Sequence, residues 1–482
     1  MEWHKLLNSG RRKDKKKSTE KHTSDLAYGR QEIERDYDRL LFAAPTRRLA
    51  DKTQVFPLDL NDSVRTRLTH SHEVANFARG IGMRLAFEMK DEIFGTSCEH
   101  LVLERDVPAL LATIGLAHDL GNPPFGHQGE AAMRTWFRRN LEPLVNSVTD
   151  TSLKPVFNDF LQFDGNSQTL RLVTRLQIIN DNYGLNLTYA TLAAMIKYPH
   201  SSWSENRRWN KHGYLYSEEQ VVHDIWEETG LSEGIRHPFT YLMEACDDIA
   251  YSLLDAEDTI KKGLASYQDL ISFLAGWGEG QDTVINMLIN DVERKNKEWE
   301  PRKQDLSPAE INDMSMQMFR VYATNVLIKS VVEAFRECHK QLCEKTAAIK
   351  DLISISAGNA LCSALKKFDQ TRGYRHRTVL ELELKGSNYI QGLMDMLWVG
   401  IKGRSSRSKS CDTPFGRYAY GRISENYRRV FEDPDNQLPP LYKEAQLLAD
   451  AISGMTDSYL IRLHDELKSL YEYESRVQPS TP

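Results

Sequence analysis

The stretch LLATIGLAHDLGNPPFGHQGE, Leu110 to Glu130, constrains this chain more than any other. Its first half sets Leu110, Leu111, Ile114 and Leu116 at helical spacing, the pattern of a buried helix. That helix ends in His118 and Asp119, adjacent polar groups that each need a partner once they leave water. A divalent cation would supply one. The Gly/Pro turn GNPPFG then delivers a second polar pair, His127 and Glu130.

At 482 residues the chain has room for two or more domains, or for one large helical body with insertions. A composition 40% hydrophobic and 27% charged fits a folded protein with more helix than strand and does not fit a disordered one. The net charge of −6 gives no global reason to expect nucleic acid or an acidic membrane as partner. One local patch does: Arg11, Arg12, Lys13, Lys15, Lys16, Lys17 and Lys21 crowd into a polar segment, so residues 1–29 are expected to form a flexible basic arm. Without interleaved aromatics that arm reads as solvated more readily than as a nucleic-acid contact. No apolar h-region follows it and nothing later approaches ~18 uninterrupted apolar residues, so neither a signal peptide nor a membrane span is expected. The six cysteines are scattered and include no CxxC, which suits a reducing cytoplasm and argues against a zinc knuckle.

In chain order, Arg30–Ala50 reads as a charged helix and Lys52-Thr53-Gln54-Val55-Phe56-Pro57 as a short β-prone piece. Asn61-Asp62-Ser63 offers an N-cap to a helix running past His70 to Met89, and Pro108 suits the first turn of the next. A helix after Thr188 stops at Pro199, and His200–Tyr216 reads as an irregular surface excursion and a candidate lid. From Pro238 a long helix carries Met243, Ile249, Leu253 and Leu254 on one side, with Asp247, Asp248, Tyr251, Asp255 and Asp258 around it. Ser307-Pro308-Ala309-Glu310 is a capping box. Leu380, Leu382 and Leu384 alternate with charged residues, which predicts a half-exposed strand in a small hairpin. An Arg/Ser-rich loop, Lys402–Ser410, precedes a last helix lined by Ile461, Leu463, Leu467 and Leu470.

Four candidate ligands emerge: His70, His118, Asp119 and Asp247. Two imidazoles and two carboxylates form a mixed N/O set, suited to Mg²⁺, Mn²⁺, Fe²⁺, Co²⁺ or Ni²⁺ in an open geometry more than to a closed structural zinc. Singly, each residue reads equally well as a helix cap or a surface acid. Their order, a helical histidine, then contiguous His-Asp, then a distant aspartate, resembles the HD-domain metal-dependent phosphohydrolases. The segments RTRLTHSHEV, AHDLGNPPFGHQGE, EACDDIAYSLLDAED and GMTDSY resemble motifs of the deoxyguanosine triphosphate triphosphohydrolases within that group, and KTQVFPL and NLTYATL through KYP extend the likeness over most of residues 30–260.

That resemblance implies a mainly α fold: an HD-domain helical bundle over residues 30–270, and a mostly helical region over 271–482 for packing and oligomerisation. It implies metal-dependent hydrolysis of dGTP, with other dNTPs allowed, to deoxynucleoside and tripolyphosphate. His127 would be the acid/base group and Glu130 its orienting carboxylate, a pairing that fixes the tautomer of a group titrating near neutrality. The first aspartate of EACDDIAY, Asp247, would be the ligand. Asp247, Tyr251 and Asp255 fall at i, i+4 and i+8, one helix face, so Tyr251 and Asp255 would meet the sugar beyond a metal-bound phosphate. Arg67 and Lys197, the latter beside Tyr198, match phosphate-handling positions, and Gln54 and Asn186 match nucleotide contacts. Arg417, Arg422 and Arg428 are candidates for phosphate or interface contacts, whereas His72 points about 200° around the helix from His70. The resemblance also implies a homo-oligomer, often a hexamer, with single-stranded DNA as a possible effector. The alternative readings are a single-stranded-DNA-responsive binding protein with an HD fold, and an HD phosphohydrolase acting on other nucleotides.

Overall fold

The computed structural model of the chain describes residues 1–16, 29–56, 64–95, 98, 101–177, 181–205, 208–299, 305–344, 349–406 and 411–477. The architecture is helical; among the described residues there is no β-sheet, only isolated bridges such as Thr53 to Thr66. The frame of the site comprises α1 (Glu32–Leu41), α2 (Arg67–Glu88), α3 (Leu103–Ala117), α4 (Gly126–Asn140), α5 (Gly165–Arg171), α6 (Tyr189–Met195), α7 (Pro238–Lys261), α8 (Pro308–Leu342), α9 (Asn359–Arg372), α10 (Arg377–Ile401), α11 (Pro440–Ser453) and α12 (Asp457–Val477).

Two apolar cores organise these helices. The first gathers α2, α3, α7, α8 and α9, with Val74, Leu111, Ile249, Phe335 and Phe368 fully buried. The second gathers α4, α10, α11 and α12 around Phe137, Phe160, Leu397, Tyr442 and Leu463. Leu120 belongs to the first and Phe125 to the second, so the turn after His118 crosses from one core to the other. Both cores draw on residues before and after position 270, so that position marks no packing boundary. Helices α2 and α3 run antiparallel in close contact, because a Cβ at Gly115 would come 2.7 Å from the Ala75 Cα. The end of α3 therefore meets the start of α2, and the His70 and His118 rings lie 5.4 Å apart.

Several expectations are corrected. The hairpin expected at Leu380–Leu384 is instead the first turns of α10, capped by His376, whose Nδ1 accepts the Thr378 amide. Leu, Glu and Lys are good helix formers, and Val379, Gly386, Ile390 and Leu393 carry the buried helical stripe, while Leu380 and Leu384 are exposed. Pro108 lies inside α3, not in its first turn, packed on Gly82. Helix α2 is capped by Thr66; Asn61-Asp62-Ser63 lies outside the described residues. The first 16 residues pack on the helical body: Trp3, Leu6 and Leu7 enter the first core, and Arg11 pairs with buried Asp36 at 2.7 Å. Lys17 and Lys21 lie outside the described residues, as do Pro57 and the end of the Arg/Ser-rich loop. The 200–216 loop is packed inward, with His200, Ser202, His212 and Tyr214 buried and Asp159 holding Ser202 Oγ and the Tyr216 amide. No helix among the described residues is long and apolar enough to cross a membrane.

Candidate active site

The turn between the two cores opens onto a cavity of about 560 Å³. Its lining includes Gln54, Arg67, His70, His118, Asp119, His127, Lys197, Tyr198, Asp247 and Tyr251, ten of the residues singled out from the sequence. They come from the segment before α2, from α2, the end of α3, the start of α4, the segment after α6, and α7.

His70 Nε2 lies 3.2 Å and His118 Nε2 3.4 Å from the same oxygen, Oδ1 of Asp247. Ligand atoms of these three residues fall within 4.8 Å of one another, close enough to share one cation. His118 Nδ1 lies 2.7 Å from the Gly115 carbonyl and donates to it, which leaves Nε2 as the lone-pair nitrogen. That Nε2 is buried without a hydrogen-bond partner, the condition of a metal ligand. A mixed imidazole and carboxylate set with this orphaned nitrogen fits a divalent ion. Asp119 stands at the edge of the cluster: its Oδ2 is 3.5 Å from His118 Nε2, and it accepts hydrogen bonds from Arg67 and Asn122.

The nearby carboxylates make His118 Nε2 a strong proton acceptor as well, so a proton and a cation compete for the same lone pair. Burial alone would pull the His118 imidazole down, but Asp119 and Asp247 reverse this and hold it up at about 9. Burial would likewise push Asp247 up, yet His118, His70 and Lys197 hold it well below the usual carboxylate range. The imidazoles occupy a site with strong cation affinity. Burial would lower Lys197, and Asp247 and Glu244, each 3.6 Å from its Nζ on one oxygen, raise it instead.

His127 begins α4 after Phe125, a non-glycine residue in the left-handed region at φ 59°, and Gly126 at φ 56°. A Cβ at Gly126 would overlap the Arg67 guanidinium, so glycine is what lets Arg67 pass beneath the turn to Asp119. His127 Nδ1 lies 3.2 Å from Glu130 Oε2, and Glu130 is anchored in turn by the Gly165 amide at 2.8 Å. The imidazole is exposed to the cavity while its carboxylate is buried.

At the far end of α7's face, Asp255 is fully buried and does not line the cavity; Tyr374 donates to it at 2.5 Å and packs at a tilt of 45° beside Tyr251, with centroids 5.9 Å apart. Asn186 is not among the residues lining this cavity. It sits at φ 49° in a turn away from the cavity, where its side chain accepts the Lys13 amide and its carbonyl accepts from Arg11. Its work is to hold the docked amino-terminal segment. Arg417, Arg422 and Arg428 do not line the cavity either; Arg422 is paired with Glu466. The structure adds residues that no sequence pattern pointed to: Asn122, Gln128, Asn166, Lys211, Lys366, Tyr374 and Glu383 all line the cavity. Lys366 is bonded to Asp248 at 2.7 Å and Lys211 lies 3.5 Å from Asp164.

A helical scaffold that gathers two histidines and an aspartate beside a His-Asp helix end defines the HD-domain class, and residues 67–159 match the HD domain family model. Over nearly its whole length the chain is 34% identical to a deoxyguanosinetriphosphate triphosphohydrolase-like protein of Listeria monocytogenes, covering 98% of this chain and 100% of that one. A Pseudomonas aeruginosa protein of the same description is 30% identical over 92% of this chain and 95% of its own. The deoxyguanosinetriphosphate triphosphohydrolase of Salmonella enteritidis is 29% identical over 89% and 91%. The chain belongs to the deoxyguanosinetriphosphate triphosphohydrolase family of HD-domain phosphohydrolases. It is accordingly an HD-domain nucleotide phosphohydrolase.

Proposed function

We propose that the chain hydrolyses dGTP, and other deoxynucleoside triphosphates to a degree set by the base contacts, to deoxynucleoside and tripolyphosphate. The observation that carries this reading is one cavity holding three chemistries in line: the His70, His118 and Asp247 cluster, the His127–Glu130 pair beside it, and Tyr251 farther along the same helix face. In this reading His70, His118, Asp119 and Asp247 hold a divalent ion. Such an ion supplies Lewis-acid polarisation of a phosphoryl oxygen and lowers the pKa of water.

The protein's own groups do the rest. Glu130 keeps the His127 proton on Nδ1, which leaves Nε2 free to move a proton between the attacking water and the departing 5′-oxygen. Water oxygen bonds to the α-phosphorus as the bond from phosphorus to the 5′-oxygen breaks, and that oxygen leaves protonated as the nucleoside hydroxyl. Arg67, Lys197, Lys211 and Lys366, all on the cavity wall, offset the charge of the triphosphate. Tyr251 and Tyr374 close the sugar end, where a 2′-hydroxyl would need room, with Asp255 behind Tyr374. Gln54 offers a paired donor and acceptor to the base.

The test is product identification with Mn²⁺ and Mg²⁺ over the four dNTPs, with and without single-stranded DNA. Deoxyguanosine and tripolyphosphate are expected; deoxyguanosine monophosphate with pyrophosphate would contradict the reading.

A further inference from the structure

The docked basic segment leaves one group that the catalytic cavity does not use. Arg12 is half-buried among residues that are themselves paired: Arg11 is locked to Asp36 and Glu32, and Lys13 and Lys15 pair with Asp181 and with Glu227 and Glu228. Among the described residues Arg12 has no such partner. Its Nε and Nη1 are buried without a hydrogen bond, and its guanidinium lies over the Tyr183 ring, 5.7 Å from the centroid. Burial and the like charge of Arg175 both hold its pKa below the ordinary arginine value. The Asp224 carboxylate offsets this only in part and makes no hydrogen bond to the two orphaned donors, so the neighbouring cations have unmet capacity for an anion.

They line a cleft of about 890 Å³, separate from the catalytic cavity, with Asn182, Tyr183, Asn436, Gln437 and Gln446 among its walls. The acids there are engaged or at the rim. Glu218 is paired with Arg171 at 2.9 Å, Asp181 is bound to Lys13, and Asp433 accepts the amide of exposed Asp435. Arg175 lies on a π-helical turn, Leu172–Leu176, at the end of α5. Such turns interrupt the regular bonding ladder and recur at functional positions. This one sets Arg175 on the cleft wall facing the amino-terminal segment.

We propose that this cleft is a second anion site, in which Arg12 and Arg175 grip the phosphate chain of a small polyphosphate or nucleotide. Paired guanidinium forks suit bidentate phosphate recognition. Among the described residues the lysines flanking Arg12, Lys13 and Lys15, are paired with acids, and the two guanidiniums are the cations left to meet an occupant, which suits a compact anion.

Calorimetry with inorganic tripolyphosphate on the full chain, in EDTA so that nothing turns over, tests this. In a Lys197→Ala background, which weakens the catalytic cavity, adding R12Q and R175Q together should raise the Kd at least tenfold. R12K with R175K, which keeps charge but loses the fork, should fall between. Unchanged affinity in the glutamine variant would overturn the proposal. Circular dichroism verifies that the helices persist; should R12Q unfold the segment, R175Q alone, at a half-exposed position, must still weaken binding at least threefold or the proposal fails. A second titration with dGTP identifies the source of the phosphate: tighter binding than tripolyphosphate supports a nucleotide occupant, and equal binding supports a polyphosphate. A single-stranded oligonucleotide that competes through Arg12 and Arg175 more strongly than either would overturn the assignment to a small anion.

Discussion

Asp457, the first residue of α12, accepts the Phe125 amide on one carboxylate oxygen at 3.1 Å and the Thr53 amide on the other at 2.9 Å. A single side chain from the carboxyl-terminal region thus ties the turn that presents His127 to the segment that carries Gln54. Lys52 reinforces the joint by donating to the Asn122 and Ser453 carbonyls. The left-handed conformation of Phe125 costs on the order of 1–3 kcal/mol and persists only where its surroundings demand it.

Asp457→Ala is therefore expected to lower stability by about 2 kcal/mol, since it orphans two amides, and to lower kcat at least tenfold while the bound metal stays. Urea unfolding, steady-state kinetics and metal analysis of one preparation read the three effects. Loss of metal in step with kcat would show that Asp457 supports the whole site and not the turn.

The cluster and the acid/base pair should separate by mutation. Asp247→Ala, His118→Ala and Asp119→Ala are expected to leave the purified chain without stoichiometric metal. His127→Ala should keep the metal and lose about 10²–10⁴-fold in kcat. Elemental analysis beside single-turnover kinetics distinguishes the two classes.

His237 gives a pH dependence with a definite sign. It caps α7, its Nδ1 accepting the Phe239 amide at 3.0 Å while Nε2 donates to the Leu6 carbonyl at 3.2 Å. A second proton has no place on that ring without breaking the cap, and burial lowers its pKa from 6.5 to about 4. Between those values the unfolded chain binds the proton and the folded chain does not, so stability rises with pH across the window. This contribution is fully present above pH 6.5 and falls by about 3 kcal/mol as pH drops to 4. Urea melts at pH 7, 5.5 and 4.5 should show that loss, and His237→Asn, which keeps a cap but does not titrate, should flatten it.

At the sugar end, Tyr251→Ala should raise kcat/KM for GTP relative to dGTP about tenfold, a contact-sized change. Tyr374→Phe removes the hydroxyl that occupies Asp255 and is expected to alter KM more than kcat. Competition assays with mixed nucleotides read both.

What could be read ahead of the structure depended on contiguity. His118, Asp119, His127 and Glu130 share one short segment, and His70 and Asp247 sit in helices with strong local patterns, so order alone pointed to them. Lys211, Lys366 and Tyr374 reach the cavity as ordinary residues in ordinary contexts, and only tertiary packing brings them there; Asp457 lies in the quoted GMTDSY segment, but its hold on the Phe125 amide is visible only in the packed structure. Asn186 shows what sequence leaves out: a turn asparagine with left-handed φ can serve the backbone, and its contacts with Arg11 and Lys13 are set by tertiary packing. Leu380–Leu384 misled because a two-residue alternation over five positions is too short to outweigh the three-to-four-residue stripe from Val379 to Leu393.

The crossing of the catalytic turn from one core to the other means that the chain has no smaller working part. Residues 67–159 hold both histidines of the cluster and the acid/base pair, yet lack Asp247, Lys197, Lys366, Tyr374 and Asp457. Excised, that segment would carry the motif and only part of the wall. The cavity wall is a property of both cores at once, and a cut or insertion that parts them is expected to end hydrolysis without touching a single ligand.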